Sequence, residues 1–259
     1  MSKLGKVFED KKALIAFVTG GDPDIETTEK LIPQMVQAGV DIIEIGIPFS
    51  DPIAEGIDIQ EADERALAAG ATTDKLFDMV KRVNAQVKVP MVFMTYMNPV
   101  YTYGIENFMK KCAECGVAGV IIPDVPFEER EEVSKVSMKY GVEYISMVAP
   151  ASKERIRMVS NDVEGFVYCA STEKDEKNKV SYAKDMLKQI RKVSDVPCAV
   201  VYDTVDESKA NEFVPYADGI IIANAIVKLI GKYGTECVNA VCEYISQLKE
   251  ILLEADSAA

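Results

Sequence analysis

The chain has 259 residues, 48% of them hydrophobic, and a formal net charge of −13. That charge argues against a nucleic-acid partner. No uninterrupted apolar run approaches the ~20 residues that span a bilayer. The opening MSKLGKVFEDKK lacks the apolar middle of a signal peptide, so the chain reads as cytoplasmic. There is no histidine, which removes Ser-His-Asp and Cys-His nucleophile systems and every histidine-ligated metal site. Acid–base chemistry must then rest on Asp, Glu, Lys, Tyr or Cys. Six cysteines are scattered along the chain. Cys112 and Cys115 form a CxxC with no second pair at metal-site spacing, and all six read as core thiols rather than metal ligands.

Strand-like apolar runs recur at Leu14–Thr19, Asp41–Ile47, Pro90–Tyr96, Gly119–Val125, Glu143–Ala149, Gly165–Ala170, Cys198–Tyr202 and Gly219–Ile222. Several are too continuously apolar to own a wet face, as in parallel strands covered on both sides. Helical periodicity falls between them, over Glu26–Ala38, Asp58–Ala69, Thr73–Val83 with Thr73 as its cap, Ile105–Cys115, Glu128–Tyr140, Lys153–Val159, Tyr182–Val193, Asp206–Val214 and Ile226–Leu253. No Gly/Ser/Pro-rich linker divides the chain. Eight strands alternating with helices in about 250 residues are the count of a single (β/α)8 TIM barrel occupying residues 1–259, here with an extra N-terminal helix. An open doubly wound sheet is the other arrangement. It would bind its ligand through a Gly-rich first turn, and Thr19-Gly20-Gly21-Asp22-Pro23 lacks G-x-G-x-x-G.

In a barrel the active groups lie at the C-terminal ends of the strands. That rule gathers Phe17, Glu44, Glu55, Met94, Tyr96, Asp124 and Tyr168 around one mouth. Glu44 interrupts the second strand between Ile43 and Ile45. Side chains alternate across a strand, so Ile42, Glu44 and Gly46 share one face, either barrel-interior or helix-facing. Gly46 on that face implies room for a ligand. A carboxyl on an apolar strand must find a partner or raise its pKa and take a proton. Glu55 follows in the loop after the strand, and two acids in different surroundings can divide acid and base work.

The stretch EIGIPFSDPIAEG closely resembles the signature of the tryptophan synthase alpha chain family. So do FVTGGDP from Phe17, MTYMNPVYTYGIENF from Met94, GVIIPDVPFEE from Gly119 and DGIIIANAIVKLI from Asp218. The resemblance runs from about residue 5 to 250. It implies a (β/α)8 barrel lyase that cleaves indole-3-glycerol phosphate to indole and glyceraldehyde 3-phosphate by a retro-aldol reaction. It implies no cofactor of the chain's own. The expected partner is a beta chain that carries pyridoxal phosphate, the two together forming a heterotetramer. Glu44 is implied as the catalytic acid–base, with Glu55 as the second acid. Phe17, Tyr96, Tyr168, Ala223 and Asn224 would bind substrate. Pro48, Asp51 and Asp124 would face the beta chain.

The sequence departs from the family pattern in four places. Glu55 replaces the usual Asp, and Ile57 the usual Pro. After the seventh strand Val201-Tyr202-Asp203 replaces Gly-Phe-Gly, where glycine amides would hold the substrate phosphate. After the eighth strand Ala223-Asn224 replaces Gly-Ser, with Asn224 expected to cap the following helix. The loop after the sixth strand, STEKDEKNKVSY, lacks the family's Gly-Val-Thr-Gly, with Glu176 near the Thr position. Lys174, Lys177 and Lys179 there are alternative phosphate contacts. Two further readings follow from these departures: a catalytically weak alpha-like subunit that activates a beta chain, or a barrel lyase for a non-phosphorylated indole-type ligand.

Overall fold

The computed structural model describes residues 2–161, 163–170, 179–202 and 214–257. Among the described residues nine strands form one parallel sheet: β1 (Ala13–Thr19), β2 (Ile42–Gly46), β3 (Met91–Met94), β4 (Val117–Ile121), β5 (Glu143–Tyr144), β6 (Met147–Val148), β7 (Val167–Cys169), β8 (Cys198–Val201) and β9 (Gly219–Ile222). Their spatial order is β5-β4-β3-β2-β1-β9-β8-β7-β6. The two ends of that order are consecutive in the chain. Ile145 N–H donates to Val120 of β4 at 2.9 Å, while the carbonyl of the next residue, Ser146, accepts from Tyr168 of β7 at 3.0 Å. The segment 143–148 is therefore one strand broken at its middle, and it closes the sheet into an eight-position barrel. The single run read from the sequence as Glu143–Ala149 is corrected to these two halves, because one segment must turn between two neighbours.

The helices between the strands are α1 (Ile25–Gln37), α2 (Ile57–Ala68), α3 (Thr73–Asn84), α4 (Met97–Tyr103), α5 (Ile105–Cys115), α6 (Glu131–Lys139), α7 (Lys153–Ser160), α8 (Lys179–Ile190), α9 (Asn224–Tyr233) and α10 (Val238–Ser257). Local chemistry sets their ends. Asp24 caps α1 by accepting from Thr27 N at 2.7 Å. Thr72, one residue before the cap expected from the sequence, caps α3 by accepting from Lys75 N. The C-terminal helical run splits at Gly234, whose φ of 55° is a left-handed position that glycine tolerates. The expected helix 206–214 lies almost wholly outside the described residues.

The alternation of side chains divides the core. Ile15, Ile42, Val92, Ile121, Phe166, Ala199, Val201 and Ile221 fill the barrel interior. Leu14, Ile43, Ile45, Phe93 and Ile220 pack outward against the helices. Glu44 therefore shares the interior parity of Ile42, which settles which face it occupies. The extra N-terminal helix is only a 3-10 turn, Gly5–Phe8. Its flanking Leu4 and its own Phe8 join the interior cluster, with the Phe8 ring 5.5 Å from Phe166.

Gly46 does not leave the room that the sequence implied. A Cβ there would lie 2.6 Å from Phe17 Cζ, so the Phe17 ring occupies the space above the glycine. Gly46→Ala is expected to destabilise the protein by about 1–3 kcal/mol through overpacking, read as a lower urea midpoint at unchanged m-value.

Candidate active site

Strand β1 sets Phe17 directly beside Glu44 of β2. Glu44 is fully buried. Among the described residues neither of its carboxyl oxygens has a hydrogen-bond partner. Loss of solvent, and then the charge of Glu55, raise its pKa from the ordinary 4.5 to about 8. At neutral pH the interior thus holds a protonated acid with no counterion among the described residues.

The loop from β2 to α2 carries Glu55 and is fixed along its length. Phe49 N–H donates to Asp63 at 3.3 Å, Ala54 N–H to the Tyr96 hydroxyl at 3.1 Å, and Gln60 Nε2 to the Glu55 carbonyl at 2.9 Å. The Tyr96 ring packs against Phe49 with centroids 5.4 Å apart and planes tilted by 32°. Burial raises the Glu55 pKa, and hydrogen bonds with Asp63 and Tyr96 pull it back. Burial and the Glu55 charge push Asp63 up to about 8, against the lowering effect of the Phe49 N–H. The mouth therefore gathers three acids, not the two read from the sequence. Asp63 was missed because Glu61 and Glu64 surround it and suggest a solvated face. The available signal was its place beside Ala62 and Ala66 on the buried stripe of α2.

Phe17, Ala62, Ala223 and Val227 form an apolar cluster at this mouth, with Met94 and Ile59 against it. Tyr168 is buried in the interior layer on β7, opposite Met147 and Ala199. Ala223 precedes α9 and Asn224 is its first residue. Asn224 does not cap the helix as expected. Its position lies inside the first turn, no side chain caps α9, and its buried Oδ1 has no partner among the described residues. Among the described residues the N-terminal N–H groups of α9 thus have no capping side chain. Val201 points into the interior and is buried. Asp203, Glu176, Lys174 and Lys177 lie outside the described residues, and Lys179 opens α8.

Of the residues expected to face a partner, Asp51 is exposed and accepts from Ser50 Oγ at 2.6 Å, whereas Pro48 is buried. Asp124 is half-buried and receives the Met97 N–H at 2.9 and 3.1 Å, holding the start of α4. Helix α4 was not foreseen from the sequence. Pro99 argues against a helix there, yet it sits in the first turn, where no N–H is needed. Cys112 and Cys115 are both buried in α5, and burial raises both thiols.

The fold and site together define a closed parallel barrel with apolar walls whose C-terminal mouth holds, among the described residues, acids with no ion-pair partner. A sequence profile of the tryptophan synthase alpha chain family matches residues 5–253. The alpha chain of Lacticaseibacillus casei is 39% identical over 254 residues, covering 96% of this chain and 95% of that one. Among solved structures, the alpha chain of Legionella pneumophila superposes with a TM-score of 0.89 at 31% identity, covering 98% of each chain. A tryptophan synthase complex from Pyrococcus furiosus gives 0.85 at 30%, covering 92% of this chain and 98% of that one. The chain belongs to the tryptophan synthase alpha chain family, carbon–carbon lyases that cleave indole-3-glycerol phosphate to indole and glyceraldehyde 3-phosphate in tryptophan biosynthesis.

A carboxyl whose folded pKa is raised costs stability as pH climbs. The unfolded chain ionises first, so the loss accumulates from about 4.5 to about 8 and then levels off. Glu44→Gln removes that group. Its stability relative to the parent is expected to rise across this window by an amount on the order of a few kcal/mol, measured by urea unfolding as a function of pH.

Proposed function

We propose that this chain, acting as one barrel domain in the cytoplasm, performs the family's cleavage with Glu44 as its acid–base group and no cofactor of its own. The observation that carries this reading is the partnerless, protonated Glu44 on the interior face of β2. Glu44 gives its proton to the indole carbon that bears the glycerol chain. The ring becomes a cationic indolenine. Glu44, now a carboxylate, takes the proton of the adjacent glycerol hydroxyl. The O–H electrons form the aldehyde carbonyl, the C–C bond breaks, and its electron pair restores the aromatic ring. Glu44 ends protonated, ready for another cycle. A folded-state pKa near the working pH suits a group that must both give and take a proton.

The cationic ring calls for a negative partner at its N–H, and Glu55 is the acid placed beside Glu44 for that role. Phe17 and Tyr168 offer apolar and aromatic surface to the indole, and Tyr96 holds the Glu55 loop. The uncapped start of α9 at Ala223 and Asn224 is the phosphate end of the site, since free N–H groups and the helix dipole favour an anion. Val201 in place of a glycine leaves that helix start as the main described grip.

The beta chain is the proposed partner, and any pyridoxal phosphate belongs to it. Ile53 on the loop after β2, Ile57 at the start of α2 and Tyr101 on α4 are respectively 79%, 65% and 70% exposed. They offer an apolar docking surface beside Asp51. No helix among the described residues is long and apolar enough to cross a membrane.

Indole release from indole-3-glycerol phosphate, with and without a beta chain, tests the assignment. Glu44→Gln is expected to lower kcat at least 10²-fold, the usual worth of a general acid–base, while leaving the fold intact. Equal turnover by the variant and the parent overturns it.

A further inference from the structure

The break in the fifth strand position divides the outer layer of the barrel as well as the sheet. Tyr144 is the last residue of β5 and Met147 the first of β6. Helix α6 packs on β5 and α7 on β6, so each helix follows its own half-strand. The apolar residues outside the sheet separate at the same place. Ile122, Val133 and Tyr144 belong to one cluster, and Val148, Ile156 and Val159 to another. At this seam lies a cavity of about 310 Å³, with Ile122, Tyr144, Val148, Ile156 and Val159 in its walls. That volume is within the range of small-molecule sites. By strand alternation Tyr144, Ser146 and Val148 point away from the barrel axis. Ile145 and Met147 also border the cavity but belong to the interior layer. Phe17, Glu44 and Glu55 do not border it.

Three polar side chains border this space with donors to offer. Ser146 is only 5% exposed, and its hydroxyl has no hydrogen-bond partner among the described residues. Arg130 lies over the Phe127 ring, with Cζ 4.1 Å from its centroid, and forms no ion pair among the described residues. Burial pushes the Tyr144 phenol up to about 12, so it stays a donor at neutral pH. The other charged groups at the cavity are occupied. Glu128 accepts from both Nη1 and Nη2 of Arg155, and Asp124 receives the Met97 N–H. A buried hydroxyl without a partner and a guanidinium without a carboxylate, set against aliphatic walls, match an apolar molecule that ends in an anion. We propose that this cavity binds a small aromatic carboxylate, its charged end toward Arg130 with Ser146 and Tyr144 as neutral donors, and its ring between Ile122 on one side and Val148, Ile156 and Val159 on the other. The inference does not depend on the lyase reading.

Phenylacetate and its neutral counterpart phenylacetamide, titrated into the full chain, are the probes. Phenylacetate is expected to bind with a Kd of about a millimolar or tighter. It is expected to shift the methyl NMR signals of Ile122, Val148 and Ile156, and to leave those of Ile42 and Ile221 in the barrel interior unmoved. Phenylacetamide should bind more weakly than the acid. Arg130→Gln is expected to weaken phenylacetate by about tenfold or more and to leave phenylacetamide unchanged. Ser146→Ala should cost the acid a smaller factor. No methyl shift at about ten millimolar phenylacetate overturns the proposal. So do shifts confined to the interior methyls, which would place the acid in the barrel mouth. Equal affinity for acid and amide, or for acid with and without Arg130, overturns it as well. The methyl map is read on the parent chain, so it decides the matter even where a variant folds poorly.

Discussion

The constraint on which this site depends is the burial of acids without cations. Transferring an ionised carboxylate into an apolar interior is so costly that the group neutralises instead. In most folds a basic neighbour meets that cost. Here Glu44 is enclosed by the interior residues of β1, β2 and β3, and no base reaches it among the described residues. Protonation is the remaining solution. The same desolvation that makes the group expensive sets it to move protons near neutral pH. A lysine or arginine beside it would stabilise the protein and hold the carboxyl ionised, which would remove the acid function.

The surroundings of the mouth are arranged around that requirement. The one arginine on the mouth helix is held away from the acids by a bidentate pair with Asp22. The loop that carries Glu55 has almost no regular structure, yet Asp63, Tyr96 and Gln60 tie it at three points. Helix α2 is in turn braced against α9 by the Lys228–Asp58 pair at 3.2 Å and by the packing of Ala62 with Ala223 and Val227. The proposed phosphate end and the acid end of the site thus share one helix. A shift of α2 on binding an anion at the start of α9 would be felt directly at Asp63.

Much of this was legible in the sequence, for identifiable reasons. Interior and exterior positions follow from strict alternation, so the strands and the mouth residues Phe17, Glu44, Tyr96 and Tyr168 could be located from apolar runs alone. What alternation cannot give is which face looks inward. That needed the register of β2 against β1 and β3. Gly46 misled because a missing Cβ signals space without saying what fills it, and the answer, the Phe17 ring, lies on another strand. Asp63 was hidden by its charged neighbours in sequence. Asn224 was misjudged by one residue, and that residue is the difference between a capping position and the first helical turn. Each miss concerns a contact made across the fold, whereas each success concerns a periodicity within one segment.

Charge explains why neutral acids matter here beyond proton transfer. The chain carries a net charge of −13, and its proposed substrate is a phosphate ester. Three ionised carboxylates in one mouth would repel that anion. With Glu44 and Asp63 both pushed up to about 8, the mouth carries less negative charge at neutral pH than three ionised acids would. That charge faces the indole end, where the reaction develops a cation. The phosphate end meets uncapped helix N–H groups. Raised pKa values here do two jobs at once: they poise Glu44 for proton transfer, and they keep an acidic protein from expelling an anionic substrate.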